Sequence, residues 1–373
     1  MTFPLGAAAL FTLVTLLLAA LPAAVLRRAR TGRYWRAVVW LHAGLFLLHL
    51  FVTFPLALGF VGAHLIQTRP HERTYRGPRL DAAGNVLVQS WKSLAGEATA
   101  GVPAVAAEIA AAAAARAHRI PSTDGVVLRA FRLEAKREPP VATVVLVHGL
   151  FRSAMELEPI AALFREQGCE CWLVEPRNFG GSTRTVFRAG ASERDDVEAA
   201  VRFVRALPER EATPMVLFGV SLGTVAVSLA LPRLDGLAGV VLDAPIDDMQ
   251  AAARRMLGFD REGDPRRWFK LCEPWTSLVL TAYEAWAQVD LTSLRPVEVL
   301  ANLPVDLPML VVGAGIDEWA PPATVEALFA RLPMHAHRRQ LWMVPDSKHG
   351  HVFLDRPAEY AEKLRWLLAN LRR

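Results

Sequence analysis

Cysteine is nearly absent. Three residues in a chain of 373 are too few for a disulfide framework. Cys169 and Cys171 flank one position of an expected strand, too close for an easy bridge, and Cys272 stands alone. Free or buried thiols are the plain reading of all three. Lysine is scarce as well. The basic side chains are nearly all arginine and alanine is abundant, a balance that suggests a GC-rich bacterial genome. The formal net charge is +5, but no dense basic patch with interleaved aromatics occurs, which argues against nucleic acid as a partner. The chain has no G-x-G-x-x-G, no P-loop and no H-E-x-x-H, so the common dinucleotide, nucleoside triphosphate and zinc-protease signatures are missing. No internal repeat is visible.

What the chain has in excess is apolar residues, 53% of the total, and they are unevenly spread. Phe3–Leu26 is a run without a charge, and Val38–Ile66 is a second, interrupted only by histidines and one proline. Each exceeds the roughly 20 residues that cross about 30 Å of hydrocarbon. A cleaved signal peptide fits the first run poorly: no positive residue precedes it, and a second run follows at once. Residues 1–67 are therefore expected to form a two-helix transmembrane anchor. Arg27, Arg28, Arg30, Arg33 and Arg36 crowd the connecting loop, and basic loops stay cytoplasmic. That places the remaining chain on the periplasmic side of a bacterial inner membrane, as a multi-pass protein. Arg69, Arg73, Arg76 and Arg79 follow the second run and argue for the opposite orientation. Tyr34, Trp35 and Trp40 suit an interfacial belt. His42, His49 and His64 read as packing or interface residues, because the first run holds no matching pair for a haem or a proton relay.

Residues 68–119 read as a connector, Pro/Arg-rich at first and ending in an alanine-rich tract, Glu108–Ala117, with high helix propensity. From about residue 120 the pattern changes. Apolar strands are expected at 126–131, 141–147, 169–174, 215–218, 239–242, 308–312 and 340–344. Helices are expected at 153–167, 193–207, 224–230, 323–332 and 358–371. Short apolar strands alternating with helices predict an α/β fold whose mostly parallel sheet is covered on both faces. Residues 246–303 break the alternation and carry Trp268, Phe269, Trp275, Tyr283 and Trp286. They predict either a helical cap favouring an apolar acyl group, or a long crossover packed by its own aromatics.

One pentapeptide carries the chemistry. Gly219-Val220-Ser221-Leu222-Gly223 sits where an apolar strand turns into a helical pattern. A serine on such a turn has its hydroxyl thrust out beyond the sheet, and a side chain at either glycine would collide with a neighbour. A serine needs a base and an orienting acid to attack at neutral pH. Asp317 follows one expected strand within Gly313–Pro321, and His349 follows the last within Ser347–His351. Asp243 is the rival acid and His351 the rival base. His349 with His351 could chelate a metal, but neither has a partner at zincin spacing.

With these pieces in place the chain resembles the α/β-hydrolase superfamily from about Pro121 to Arg373. Val147-His148-Gly149-Leu150-Phe151 looks like its H-G oxyanion loop. Arg177-Asn178-Phe179-Gly180-Gly181-Ser182 looks like its R-G-x-G-x-S turn, with Asn178 where glycine is usual. The nearest branch is the membrane-anchored serine hydrolases of esterase, lipase or serine aminopeptidase type. The resemblance implies Ser221 as nucleophile, His349 as base, Asp317 as its orienting acid, and the N–H groups of Leu150 and Leu222 as the oxyanion hole. It implies an acyl-enzyme route with no cofactor and no metal, acting on a small-molecule or lipid-derived acyl substrate, ester or thioester. A silent membrane-tethered binding module, a peptidase, and an acyltransferase or haloperoxidase on the same scaffold are the alternatives.

Overall fold

The computed structural model describes residues 11–18, 32–68, 79–80, 86–87, 117–150, 154–208, 212–257 and 273–372. The chain divides into two compact units. One is Met1–Arg69 with Ala253–Leu291, and the other is Pro70–Ala252 with Thr292–Arg373.

In the first unit, helix α1 covers 11–18. A continuous helix follows, made of α2 (Gly32–Leu48), a π-helical turn (His49–Thr53) and α3 (Phe54–Thr68). The π turn has a local cause. Pro55 lacks an N–H and its ring crowds the carbonyl four residues back, and one wide turn relieves the conflict. Thr53 Oγ1 lies 2.7 Å from His49 Nδ1, and the His49 ring packs 4.7 Å from that of Phe11. Among the described residues one helix is long and apolar enough to cross a membrane, Val39–His64, with 26 residues and a mean hydropathy of 2.1. Trp40, Leu41, Phe46, Leu47, Leu58 and Val61 on it are exposed. Most of the first apolar run, residues 3–10 and 19–26, lies outside the described residues, and with it the first half of the expected hairpin. Trp268 and Phe269 also lie outside them. Trp275 does not: its ring sits 6.2 Å from Phe51 and 6.0 Å from Phe54.

The second unit opens with a small antiparallel pair, β1 (Arg79–Leu80) and β2 (Val86–Leu87). Eight strands then form one sheet: β3 (Ala117–Pro121), β4 (Val127–Leu133), β5 (Thr143–Val147), β6 (Glu170–Glu175), β7 (Met215–Val220), β8 (Leu237–Asp243), β9 (Met309–Ile316) and β10 (Arg339–Lys348). Their order is β10-β9-β8-β7-β5-β6-β4-β3. All neighbours are parallel except β3–β4 and β4–β6. The helices are α4 (Glu158–Glu166), α5 (Glu193–Arg205), α6 (Leu222–Ala230), α7 (Met249–Met256), α8 (Trp275–Ala287, in the first unit), α9 (Pro296–Leu300), α10 (Pro322–Ala330), α11 (Val352–Asp355) and α12 (Pro357–Ala369). Alternate strand residues go to opposite faces. Val144, Leu146, Val216, Phe218, Val241 and Val312 join Phe164 of α4 and Leu364 of α12 in one cluster. Trp172 on the other face packs 5.8 Å from Phe203 of α5. Strands buried on both sides read as unbroken apolar runs, which is why they were recognisable. The alanine-rich tract lies outside the described residues up to residue 116. Its last member, Ala117, opens β3 and not the end of a helix.

Candidate active site

Strand β7 ends at Val220 and α6 begins at Leu222, so the reversal is made at Ser221 alone. Its backbone sits at φ 55, ψ −123, a region side-chain-bearing residues rarely enter without support from their surroundings. The support is visible. The Ser221 N–H donates to the Asp243 carbonyl at 2.9 Å, and the Ser221 carbonyl accepts from Thr224 N at 2.8 Å and from Thr224 Oγ1 at 2.5 Å. Both flanking glycines are sterically required. A Cβ at Gly219 would lie 2.8 Å from the Gly223 carbonyl oxygen. One at Gly223 would run into the Val147 carbonyl and sit 2.8 Å from that of His148.

Three strand ends meet at this turn. Ser221 Oγ lies 2.6 Å from His349 Nε2, although the two are 128 positions apart. His349 Nδ1 lies 2.8 Å and 2.9 Å from the two carboxylate oxygens of Asp317. The N–H groups of Trp319 and Ala320 each donate to Asp317 Oδ1 at 2.8 Å, which fixes the carboxylate on a loop just past β9. The Asp317 side chain is fully buried while His349 remains partly open. Gly350, at φ 62, lets the chain turn directly after the histidine.

The rivals fall elsewhere. Asp243 is completely buried at the end of β8 and accepts a hydrogen bond from the Tyr360 hydroxyl at 3.0 Å. Burial pushes its carboxyl up to about 7; the Tyr360 hydrogen bond opposes this and the charge of Asp317 adds to it. His351 begins the turn into α11, its carbonyl accepting from Leu354 and Asp355. His349 is the imidazole that meets the serine.

Leu222 is the first residue of α6, and the first N–H groups of a helix have no partner within it. The loop after β5 passes beside the serine: a Cβ at Gly149 would lie 3.0 Å from Ser221 Cβ and 3.4 Å from its Oγ. Leu150 follows on that loop. His148 donates from Nδ1 to the Gly149 carbonyl at 2.8 Å, and its ring meets Phe179 edge-on at 5.0 Å. Asn178 adopts φ 73, the left-handed conformation that glycine favours and asparagine tolerates best among the other residues.

Thr224, Tyr360 and Trp319, whose ring lies 6.5 Å from His349, carry no signal in their spacing along the chain. None stands in a recognisable motif. Each matters only through what the fold brings beside it. Among the described residues no group of three His, Cys, Asp or Glu is placed to hold a metal ion. What the arrangement can do is move one proton: an imidazole held by a buried carboxylate is poised to accept the hydroxyl proton of a serine.

The profile of the Alpha/beta hydrolase family matches residues 144–363. Among solved structures, an esterase of Pyrococcus furiosus, Pf2001, superposes with a TM-score of 0.55 at 16% identity, over 68% of this chain and 91% of that one. DcsB, solved with a substrate analogue, gives 0.53 at 17%, over 68% and 97%. Est1E of Butyrivibrio proteoclasticus, solved with ferulic acid, gives 0.51 at 18%, over 66% and 97%. At such identities the likeness is one of fold. No curated protein matches the chain. The profile match begins on β5, ends in α12 and takes in Ser221, Asp317 and His349, and by it the chain belongs to the Alpha/beta hydrolase family.

Proposed function

We propose that the protein is a membrane-attached serine hydrolase that cleaves carboxylic esters or thioesters through an acyl-enzyme. The observation that carries this reading is the unbroken line of hydrogen-bond contacts from Asp317 through His349 to Ser221. Ser221 Oγ attacks the carbonyl carbon as His349 Nε2 takes its proton. Asp317 keeps the imidazole in the right tautomer and stabilises its cation. The N–H groups of Leu222 and Leu150 receive the oxyanion, where loss of one donor costs about 10²–10³ in rate. His349 then returns the proton to the departing alcohol or thiol, and water repeats the sequence on the acyl group. The chemistry uses the chain's own groups.

Esterases stand among the structural neighbours, which favours an ester over an amide. The exposed apolar helix Val39–His64 supports a membrane site of action, and with it a lipid-derived or membrane-proximal acyl substrate. The arginines at 27–36, of which Arg33 and Arg36 stand on the first turns of α2 rather than in a loop, favour a periplasmic hydrolase unit. The deciding experiment is labelling by a fluorophosphonate probe together with ester turnover. Both are expected in the full chain, and both are expected to vanish in Ser221→Ala, a loss of about 10⁶ in turnover. An unlabelled chain without turnover would identify a binding module on the same scaffold.

A further inference from the structure

The middle of the segment between β8 and β9 does not cluster with the sheet it interrupts. Residues Ala253–Leu291 form one compact unit with Met1–Arg69. The contact that joins them is α8 lying along α3. Both helices run the same way: Trp275 meets Phe51 and Phe54, and Val279 and Ala282 meet Gly59 one to two turns later. A Cβ at Gly59 would stand 2.5 Å from the Val279 carbonyl oxygen and 2.7 Å from Ala282 Cβ, so the helices approach as closely as backbone allows. Among the described side chains of α3 the buried ones are Pro55, Gly59 and Ala63, spaced four apart, while Phe54, Leu58 and Val61 around them are exposed. Small residues at that spacing form the close-packing face of apolar helix pairs. On α8 the buried positions include Val279, Leu280 and Ala282, and its single charged residue, Glu284, accepts from the Leu291 N–H at 2.9 Å.

The two ends of the segment are tied to each other. At its neck Met249 N donates to the Leu294 carbonyl at 3.0 Å and Val297 N to that of Asp247 at 3.1 Å. Further out, Arg254 pairs with Glu273 at 2.5 Å, and Ser277 donates to Glu273 at 2.7 Å, tying α7 to the start of α8.

We propose that the β8–β9 segment is a second attachment to the N-terminal helices, made by α8 seating on the Pro55–Gly59–Ala63 face of α3, and that it keeps the hydrolase chain bound to them without the connector. The occupant of that face is this chain's own helix.

The test uses the full chain in detergent, tagged at its N-terminus and carrying a protease site inserted between residues 95 and 96. After cleavage, capture by the tag is expected to retain the C-terminal fragment. Retention is expected to fall at least tenfold in Gly59→Leu and in Ala282→Leu, with the thermal melting of the C-terminal fragment showing that it stays folded. A Gly59→Cys, Ala282→Cys double variant is expected to link the two fragments covalently on mild oxidation, which reports the same contact without crowding it. Release of the unsubstituted C-terminal fragment on cleavage overturns the proposal. So does full retention in both leucine variants, and so does failure of the cysteine pair to cross-link.

Discussion

Ser221 spends backbone strain to stand where it does, and the residues around it decide which carboxylate and which imidazole come within reach. Asp317 follows β9 and Asp243 ends β8 at the same sheet edge, but only Asp317 touches His349, while Asp243 is turned to Tyr360. Asp317→Asn is therefore expected to lower kcat by about 10⁴, the loss seen when an orienting carboxylate becomes an amide, and Asp243→Asn to change it far less. Ester turnover of the two variants side by side checks this; equal losses would contradict the assignment. Asp243 has a separate signature in stability. Its folded-state pKa is raised from 3.8 to about 7, so the folded chain holds this proton more tightly than the unfolded chain. The contribution is complete below about pH 3.8 and is lost as pH climbs towards 7, at up to about 1.4 kcal/mol per pH unit. Glu193, raised from 4.5 to about 7 by burial, slopes the same way. Urea unfolding between pH 4 and 7 is expected to show a shallower decline in Asp243→Asn than in the parent chain. The order Ser221, Asp317, His349 could be read along the chain because each follows an apolar strand. The preference over Asp243 and His351 could not, since it depends on where side chains at neighbouring strand ends point.

At the scale of elements, one buried ion pair fastens the turn after β6 to the start of α5. Arg177 gives Asp196 its backbone N–H at 2.8 Å, Nε at 3.0 Å and Nη2 at 2.8 Å, and its Nη2 also reaches Thr123 Oγ1 at 3.1 Å. Both side chains are almost wholly buried. Removing one partner of such a pair strands the other charge, at a cost of about 3–5 kcal/mol. Arg177→Met is expected to lose that much in urea unfolding, and Arg177→Met with Asp196→Leu to recover only part of it, because the backbone N–H of residue 177 then loses its acceptor. The motif reading singled out Arg177 and the turn but not Asp196, which lies on a helix whose acidic first turn looks like ordinary dipole compensation. The elements themselves were legible where burial on both faces makes a strand continuously apolar, as in β5, β7 and β8. The antiparallel edge was not. In β3 only Ile120 is buried, so Ala-His-Arg-Ile-Pro carries no period, and the alanines before it draw the eye to a helix. Strand β10 runs on to Lys348 across a break in register after Val344, and that irregular end, invisible in the residue pattern, carries His349 to the serine.

For the whole molecule the deciding quantity is the apolar surface of the long N-terminal helix. The 26 residues Val39–His64 extend about 39 Å at 1.5 Å per residue, enough for a hydrocarbon core of about 30 Å. Trp40, Leu41, Phe46, Leu47, Leu48, Leu58 and Val61 are all exposed on it. Covering such a side chain fully with lipid would gain about 1.5–3 kcal/mol, which supports the proposed membrane site. Hydropathy made this helix evident from the residues alone. It could not disclose that α8, apolar yet too short to span, takes α3 as its neighbour, because the choice between packing on a sheet and packing on a distant helix is made by shape at Gly59 and not by composition. A removable signal sequence would share the hydropathy but not the fate. With α3 holding α8 as proposed, a protein tagged at its N-terminus is expected in the membrane fraction with the tag intact, and to remain there after an alkaline carbonate wash. A soluble product lacking the tag would mean that the helix is cleaved away, and α8 would then expose the face that α3 now covers.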